Sequence, residues 1–128
     1  MKFEIGEKSE IKELEFTKTN VKILEVKETE VTSKGEKFKK LTFVCENPDT
    51  ENDTNLDISE ARVTSTDSKI VKQGMWIKLI DGKLPYNSTT AIVLRYLKTT
   101  EPSSLVGKEV SICRGGDLGN FWVINTIS

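Results

Sequence analysis

Apolar and polar residues alternate with a period near two through much of this chain, which is the signature of half-buried β-strands. Residues 21–32 carry it most clearly. Val21, Ile23, Glu25, Lys27, Thr29 and Val31 share one face, and Lys22, Leu24, Val26, Glu28, Glu30 and Thr32 share the other. The apolar set switches from Val21/Ile23 to Leu24/Val26 partway. A change of face inside one strand predicts a β-bulge or a barrel bend there. Ser33-Lys34-Gly35-Glu36 reads as a hairpin turn, with Gly35 free to take positive φ. Residues 37–45 form a second strand. Lys39, Leu41, Phe43 and Cys45 alternate there with Phe38, Lys40, Thr42 and Val44.

Pro48 and the Asx/Thr cluster of residues 46–54 mark a loop. Residues 55–63 predict a third strand with Leu56, Ile58 and Ala61 inward. Residues 64–68 are polar and read as another loop. Residues 75–80 predict a strand, and Asp81-Gly82 a tight turn. Residues 91–98 fit a helix capped by Asn87 or Ser88, although their β-branched residues leave a strand open. Pro102 and Gly107 bracket a further helical turn. Residues 108–128 predict a closing hairpin that turns through 115–120. Residues 1–20, with Phe3, Ile5, Ile11, Leu14 and Phe16 among charges, predict a short strand or an arm.

These elements describe one mainly β domain over residues 1–128. A Greek-key barrel with one helix before the last two strands is the OB layout. Three stretches carry a resemblance: Val21-Lys22-Ile23-Leu24-Glu25-Val26, Gly35-Glu36-Lys37-Phe38-Lys39-Lys40-Leu41-Thr42-Phe43 and Leu105-Val106-Gly107-Lys108-Glu109-Val110. In this order of elements the chain resembles the OB-fold single-strand-binding proteins of phages and archaea. The resemblance covers residues 20–127, with residues 64–86 departing from it as an inserted hairpin. It implies an OB-like barrel whose strand-two and strand-three face binds single-stranded DNA or RNA.

Composition narrows the function. The chain has no histidine, which excludes Ser-His-Asp and Cys-His machinery and His-ligated metals. The expectation is a binding protein with no catalytic residues, no metal and no cofactor. Cys45 and Cys113 sit in apolar strands outside any CxxC pair and read as buried free thiols. No apolar run approaches the roughly 20 residues of a membrane span. The N-terminus is acidic and lacks a secretory signal's apolar run, so the expected location is cytoplasmic. Asp49, Glu51, Asp53, Asp57 and Glu60 form an acidic cluster without calcium-loop spacing, read as a solubilising loop. A nuclease-like pair of Asp53 and Asp57 lacks an accompanying lysine and base. The glycines of residues 115–119 precede no helix pattern and make no phosphate-binding fingerprint.

Nineteen basic and 20 acidic residues leave a net charge of −1. A nucleic-acid binder usually carries a basic excess, so here the charge must be sorted onto one face. The candidate contacts are Lys34, Lys37, Phe38, Lys39, Lys40, Arg62, Tyr86, Lys108, Arg114 and Trp122. The lysines would meet phosphates, and Phe38, Tyr86 and Trp122 would stack on bases. Each has a plainer reading: the lysines as a solvated face, Trp122 and Trp76 as core or edge packing. Phe43 reads as core. A second class remains open, a protein-interaction or assembly module of a phage or mobile element. That module would meet a protein partner or itself, and no nucleic acid.

Overall fold

The computed structural model describes residues 2–4, 15–49 and 54–127. The chain is mainly β. Its strands are β1 (Thr17–Ser33), β2 (Glu36–Cys45), β3 (Leu56–Ile58), β4 (Glu60–Thr64), β5 (Ile70–Gly74), β6 (Glu109–Arg114) and β7 (Val123–Asn125). The α-helix α1 (Thr89–Tyr96) lies between β5 and β6. The strands form one mixed sheet in the order β3-β2-β1-β6-β7-β4-β5. β4 and β7 run parallel and every other pair is antiparallel. β3 stands at one end of this order, yet it continues into β4, near the other end, through Ser59 alone.

β1 serves two partners. Thr17 to Lys22 pair with β6, and the strand from Ile23 onward pairs with β2. The register shifts between Ile23 and Glu25, where the sequence predicts a change of face. Ile23 is fixed from the β6 side: its N–H donates to the Lys108 carbonyl at 2.8 Å, and its carbonyl accepts from Gly107 N–H at 2.7 Å. Gly107 takes φ +87, a conformation that strains a side chain. The switch differs in one residue from the expected one. Val21 and Ile23 are buried and Val26 half-buried, but Leu24 falls at the shift and stays exposed.

β1 and β2 turn at Lys34 and Gly35, with φ of +52 and +79, as a two-residue hairpin turn requires. The expected strand over residues 75–80 is replaced by β5, which ends at Gly74. β5 pairs only with β4 and stands at the end of the sheet order. An edge strand needs little apolar patterning, so Lys72 and Gln73 disguised it. The next residues cross to β2: Leu41 N–H donates to Met75 O and Ile77 N–H to Lys39 O, each at 2.8 Å. The Asp81-Gly82 turn forms as predicted, with φ of +52 and +76. Residues 5–14 of the expected N-terminal arm lie outside the described residues; from Thr17 the chain is strand.

Ser88 caps α1, its hydroxyl accepting from Ala91 N–H at 3.2 Å. Eight residues containing Thr, Ile and Val make a weak helix alone, so packing holds it. Val93 and Leu94 enter the core with Ile23, Phe43, Ile58, Met75, Ile112 and Ile124. Pro102–Leu105 forms a 3-10 turn that adds Leu105. Burying each such side chain contributes about 1.5–3 kcal/mol. No helix among the described residues is long and apolar enough to cross a membrane.

The face switch has a direct test by urea unfolding. Ile23→Ala is expected to cost about 2–5 kcal/mol, because it opens a cavity at a fully buried site. Leu24→Ala, one residue on, is expected to cost less than about 1 kcal/mol because its side chain is 37% exposed.

Candidate nucleic-acid interface

The even-numbered face of β2 carries Phe38 and Lys40, and the bridge Lys40↔Trp76 puts Trp76 on that same face. Met75 and Ile77 turn the other way, fully and partly buried. Trp76 therefore faces out, 40% exposed. Phe38 meets its ring edge-on at 6.0 Å between centroids. The Lys40 ammonium lies over the indole at 4.5 Å. Gly74 leaves the room for this. A Cβ at that position would sit 2.9 Å from both Lys40 Cε and Trp76 Nε1. The backbone beneath is pinned by α1: Thr90 Oγ1 donates to the Trp76 carbonyl, and Thr89 Oγ1 donates to Gln73 Oε1.

Trp76 stands between two clefts. One, of about 340 Å³, is lined by Ser33, Phe38, Lys39, Ile77 and Lys78 besides Trp76. The other, of about 390 Å³, reaches Gln73, Gly74, Pro85, Asn87, Ser88 and Thr89. The two share Trp76 and Lys78. The second meets a third cleft at Asn87, which continues past Arg95 and Tyr96 to Thr64 and Ser65. The three are thus neighbours linked by shared lining residues. None of the described residues lining them is an aspartate or glutamate. Elsewhere the surface is different: Asp49, Asp57 and Glu60 line a cleft beside Arg114, Phe121 and Trp122.

The residues expected to form the interface are divided by the structure. Phe38 and Lys40 stand at Trp76. Lys37 and Lys39 turn to the opposite face of β2, where they pair across the hairpin with Glu30 at 3.4 Å and Glu28 at 3.5 Å, although Lys39 also lines the first cleft. Lys34 is exposed in the hairpin turn. Tyr86 is 73% exposed beside the second cleft, and the Arg95 guanidinium stacks on its ring at 3.8 Å while donating to its carbonyl at 2.7 Å. Arg62 donates to Asn125 Oδ1 at 3.0 Å and lies over the Phe16 ring at 5.1 Å. Arg114 forms a forked pair with Asp49, at 2.9 and 3.2 Å, and covers the Trp122 ring at 4.4 Å. Lys108 is exposed in the turn that receives Ile23. Of the expected interface residues only Phe38 and Lys39 line one of the three clefts; Lys40 and Tyr86 lie beside them, and Lys34, Lys37, Arg62, Lys108, Arg114 and Trp122 line none. Phe43 is fully buried, as expected for core.

The sequence reads Trp76 as core or edge packing and Asn87 as a helix-cap candidate, and it singles out neither Lys78 nor Arg95. One signal was present: Met75 and Ile77 flank Trp76, so a strand burying both must point Trp76 outward. Nothing in the sequence placed Asn87 and Arg95 beside it, since that depends on how α1 packs. Burial pushes the Cys45 thiol up from 9.0 to about 12, and the negative charge of Asp57 adds to the effect. Burial also pushes the Cys113 thiol up. Neither thiol is a nucleophile at neutral pH. Among the described residues, no three Cys, Asp or Glu side chains gather as metal ligands. Glu51 and Asp53 of the expected acidic loop lie outside the described residues.

Arg114 distinguishes a structural cation from a binding one. Its pair with Asp49 is about a third exposed, so Arg114→Ala is expected to lower unfolding stability by about 1 kcal/mol.

No protein-family model matches the chain, and no curated protein or solved structure matches it.

Proposed function

We propose that this protein binds single-stranded nucleic acid without catalysis, along the three neighbouring clefts linked by Trp76, Lys78 and Asn87. One observation carries the reading: in a chain with 20 acidic residues, no carboxylate stands among the described residues that line these clefts, whereas Lys39, Lys78 and Arg95 line them and Lys40 lies over Trp76. A carboxylate on such a route would repel phosphates, and its exclusion is the charge sorting that a net-neutral binder needs. Trp76, Phe38 and Tyr86 supply rings. Stacking one base on an aromatic ring is worth about 1–3 kcal/mol and tolerates any sequence. An exposed cation–π contact is worth about 0.5–1 kcal/mol, so a base outcompetes Lys40 for the Trp76 ring.

The strand pairing supports an OB-like Greek-key barrel as the scaffold. If β3 and β4 are taken as one strand bent at Ser59, neighbours run β1-β2-β3/β4-β7-β6 and back to β1. The single parallel contact falls between β4 and β7, and α1 precedes the last two strands. The hairpin arm of residues 64–86 is then the insert, and it brings Trp76 to β2. In this reading the protein works in the cytoplasm, with no cofactor. A protein-interaction role is favoured by a different feature, the exposed Leu79, Ile80 and Phe121.

Fluorescence anisotropy with a short labelled oligonucleotide at several salt concentrations tests the reading. About three phosphate contacts predict a slope of log K on log salt near −2. Lys78→Ala and Arg95→Ala are each expected to reduce that slope by about 0.7, and Lys37→Ala to leave it unchanged. Failure to bind at low salt would rule out the nucleic-acid reading and leave the protein-interaction one.

A further inference from the structure

Lys40 does more at this site than add a positive charge. It is half-buried, and its ammonium occupies a face of an exposed indole. Its Cε and Nζ pass over the α-carbon of Gly74, where a Cβ would come within 2.9 to 3.0 Å of them. That same Cβ would meet Trp76 Nε1 at 2.9 Å. Gly74 has no positive φ to explain it, so packing room rather than backbone conformation is what a glycine supplies here. A side chain would push Lys40 off the ring. The neighbouring Phe38 meets the indole at an interplanar angle of 75°, so the two rings do not stack face to face.

We propose that the face of Trp76 covered by Lys40 is a stacking site for one unpaired base, with Lys40 as its exchangeable cover. The inference rests on the nucleic-acid reading above. When a base arrives it takes the ring, and the displaced ammonium moves onto an adjoining phosphate. Both halves of the exchange are needed. A ligand must bring a flat ring and an anion within one side chain's reach of each other. Unpaired nucleotides do so. A duplex keeps its bases stacked on one another, and polyphosphate has no ring to give. Lys40 and Gly74 are thereby positioning residues that set the ligand class, namely unpaired bases on a phosphodiester chain.

The test uses Trp122→Phe, in which Trp76 is the sole tryptophan. It compares an oligothymidine strand, an abasic strand of equal length and inorganic polyphosphate. Binding is followed by competition against labelled oligothymidine, and stacking by Trp76 emission. Oligothymidine is expected to quench Trp76. The abasic strand and polyphosphate are expected to bind at least about 5-fold more weakly, the loss of one stacked base or more, and to leave the emission unchanged. In the free protein, Lys40→Ala and Gly74→Ala are each expected to raise acrylamide quenching of Trp76, because each uncovers the ring. Oligothymidine that binds without quenching Trp76, or no tighter than the abasic strand, would overturn this inference and leave nucleic-acid binding standing. Unchanged acrylamide quenching in both variants would overturn it too. Absence of binding by all three ligands would remove the nucleic-acid reading along with it.

Discussion

The sheet depends on the hand-over at Ile23. One 17-residue strand serves β6 with its first part and β2 with its second, and the register shift after Ile23 separates the two duties. The switch is held by backbone bonds to Gly107 and Lys108 and by a side chain with no exposed surface. Past this point the β1–β2 hairpin is free of β6. The far edge of β2, away from β1, is taken by β3 at Phe43 to Cys45 and is left to the chain that follows β5 at Lys39 to Leu41. Residues 75–77 fill that edge beside Lys39 and Leu41, which is how Trp76 comes to lie against Phe38 and Lys40. A site built on this contact inherits the rigidity of two paired backbones and of a helix whose threonines bond to Gln73 and Trp76.

Charge is distributed by the pleat. On β2, alternate lysines have opposite fates. Lys37 and Lys39 face glutamates of β1 and neutralise them, while Lys40 faces an aromatic ring. Exposed pairs of that kind contribute little to stability, typically below about 1 kcal/mol. Their larger effect is to cancel field on one side of the hairpin. Arg114 is consumed in the same way by Asp49. What remains is a set of clefts with no carboxylate among their described lining residues, on a chain of net charge −1. Overall charge is a poor guide to binding when pairing is this selective.

Much of the fold was legible because strands write a period of two. The change of face near Ile23, the Lys34-Gly35 and Asp81-Gly82 turns, the Ser88 cap and the closing hairpin follow from local rules, and the structure has each of them. β5 was hidden because an edge strand can be polar, and residues 75–77 read as a strand of their own. The site was legible only in part. Phe38 and Lys40 were found from their shared face. Lys37 was grouped with them by proximity in sequence, which the pleat undoes, while Lys39, on the same face as Lys37, still reaches the first cleft. Trp76 was left undecided because the sequence does not say that Met75 and Ile77 are both inward. Asn87 and Arg95 reach the clefts through tertiary packing of α1, for which no local pattern exists.

The proposed account joins a barrel scaffold, a sorted surface and a covered indole into one binding route. Its central claim is about place, that ligand lies along the clefts from Phe38 past Trp76 to Arg95. Two-dimensional amide and indole NMR, with an oligothymidine titrated into the labelled protein, tests this directly. The account predicts shifts at the Trp76 indole and at the Gly74, Lys78, Asn87 and Arg95 amides, with the Trp122 indole and the Asp57 and Glu60 amides unmoved. Shifts concentrated at Trp122, Phe121 and Arg114, with Trp76 unmoved, would contradict it.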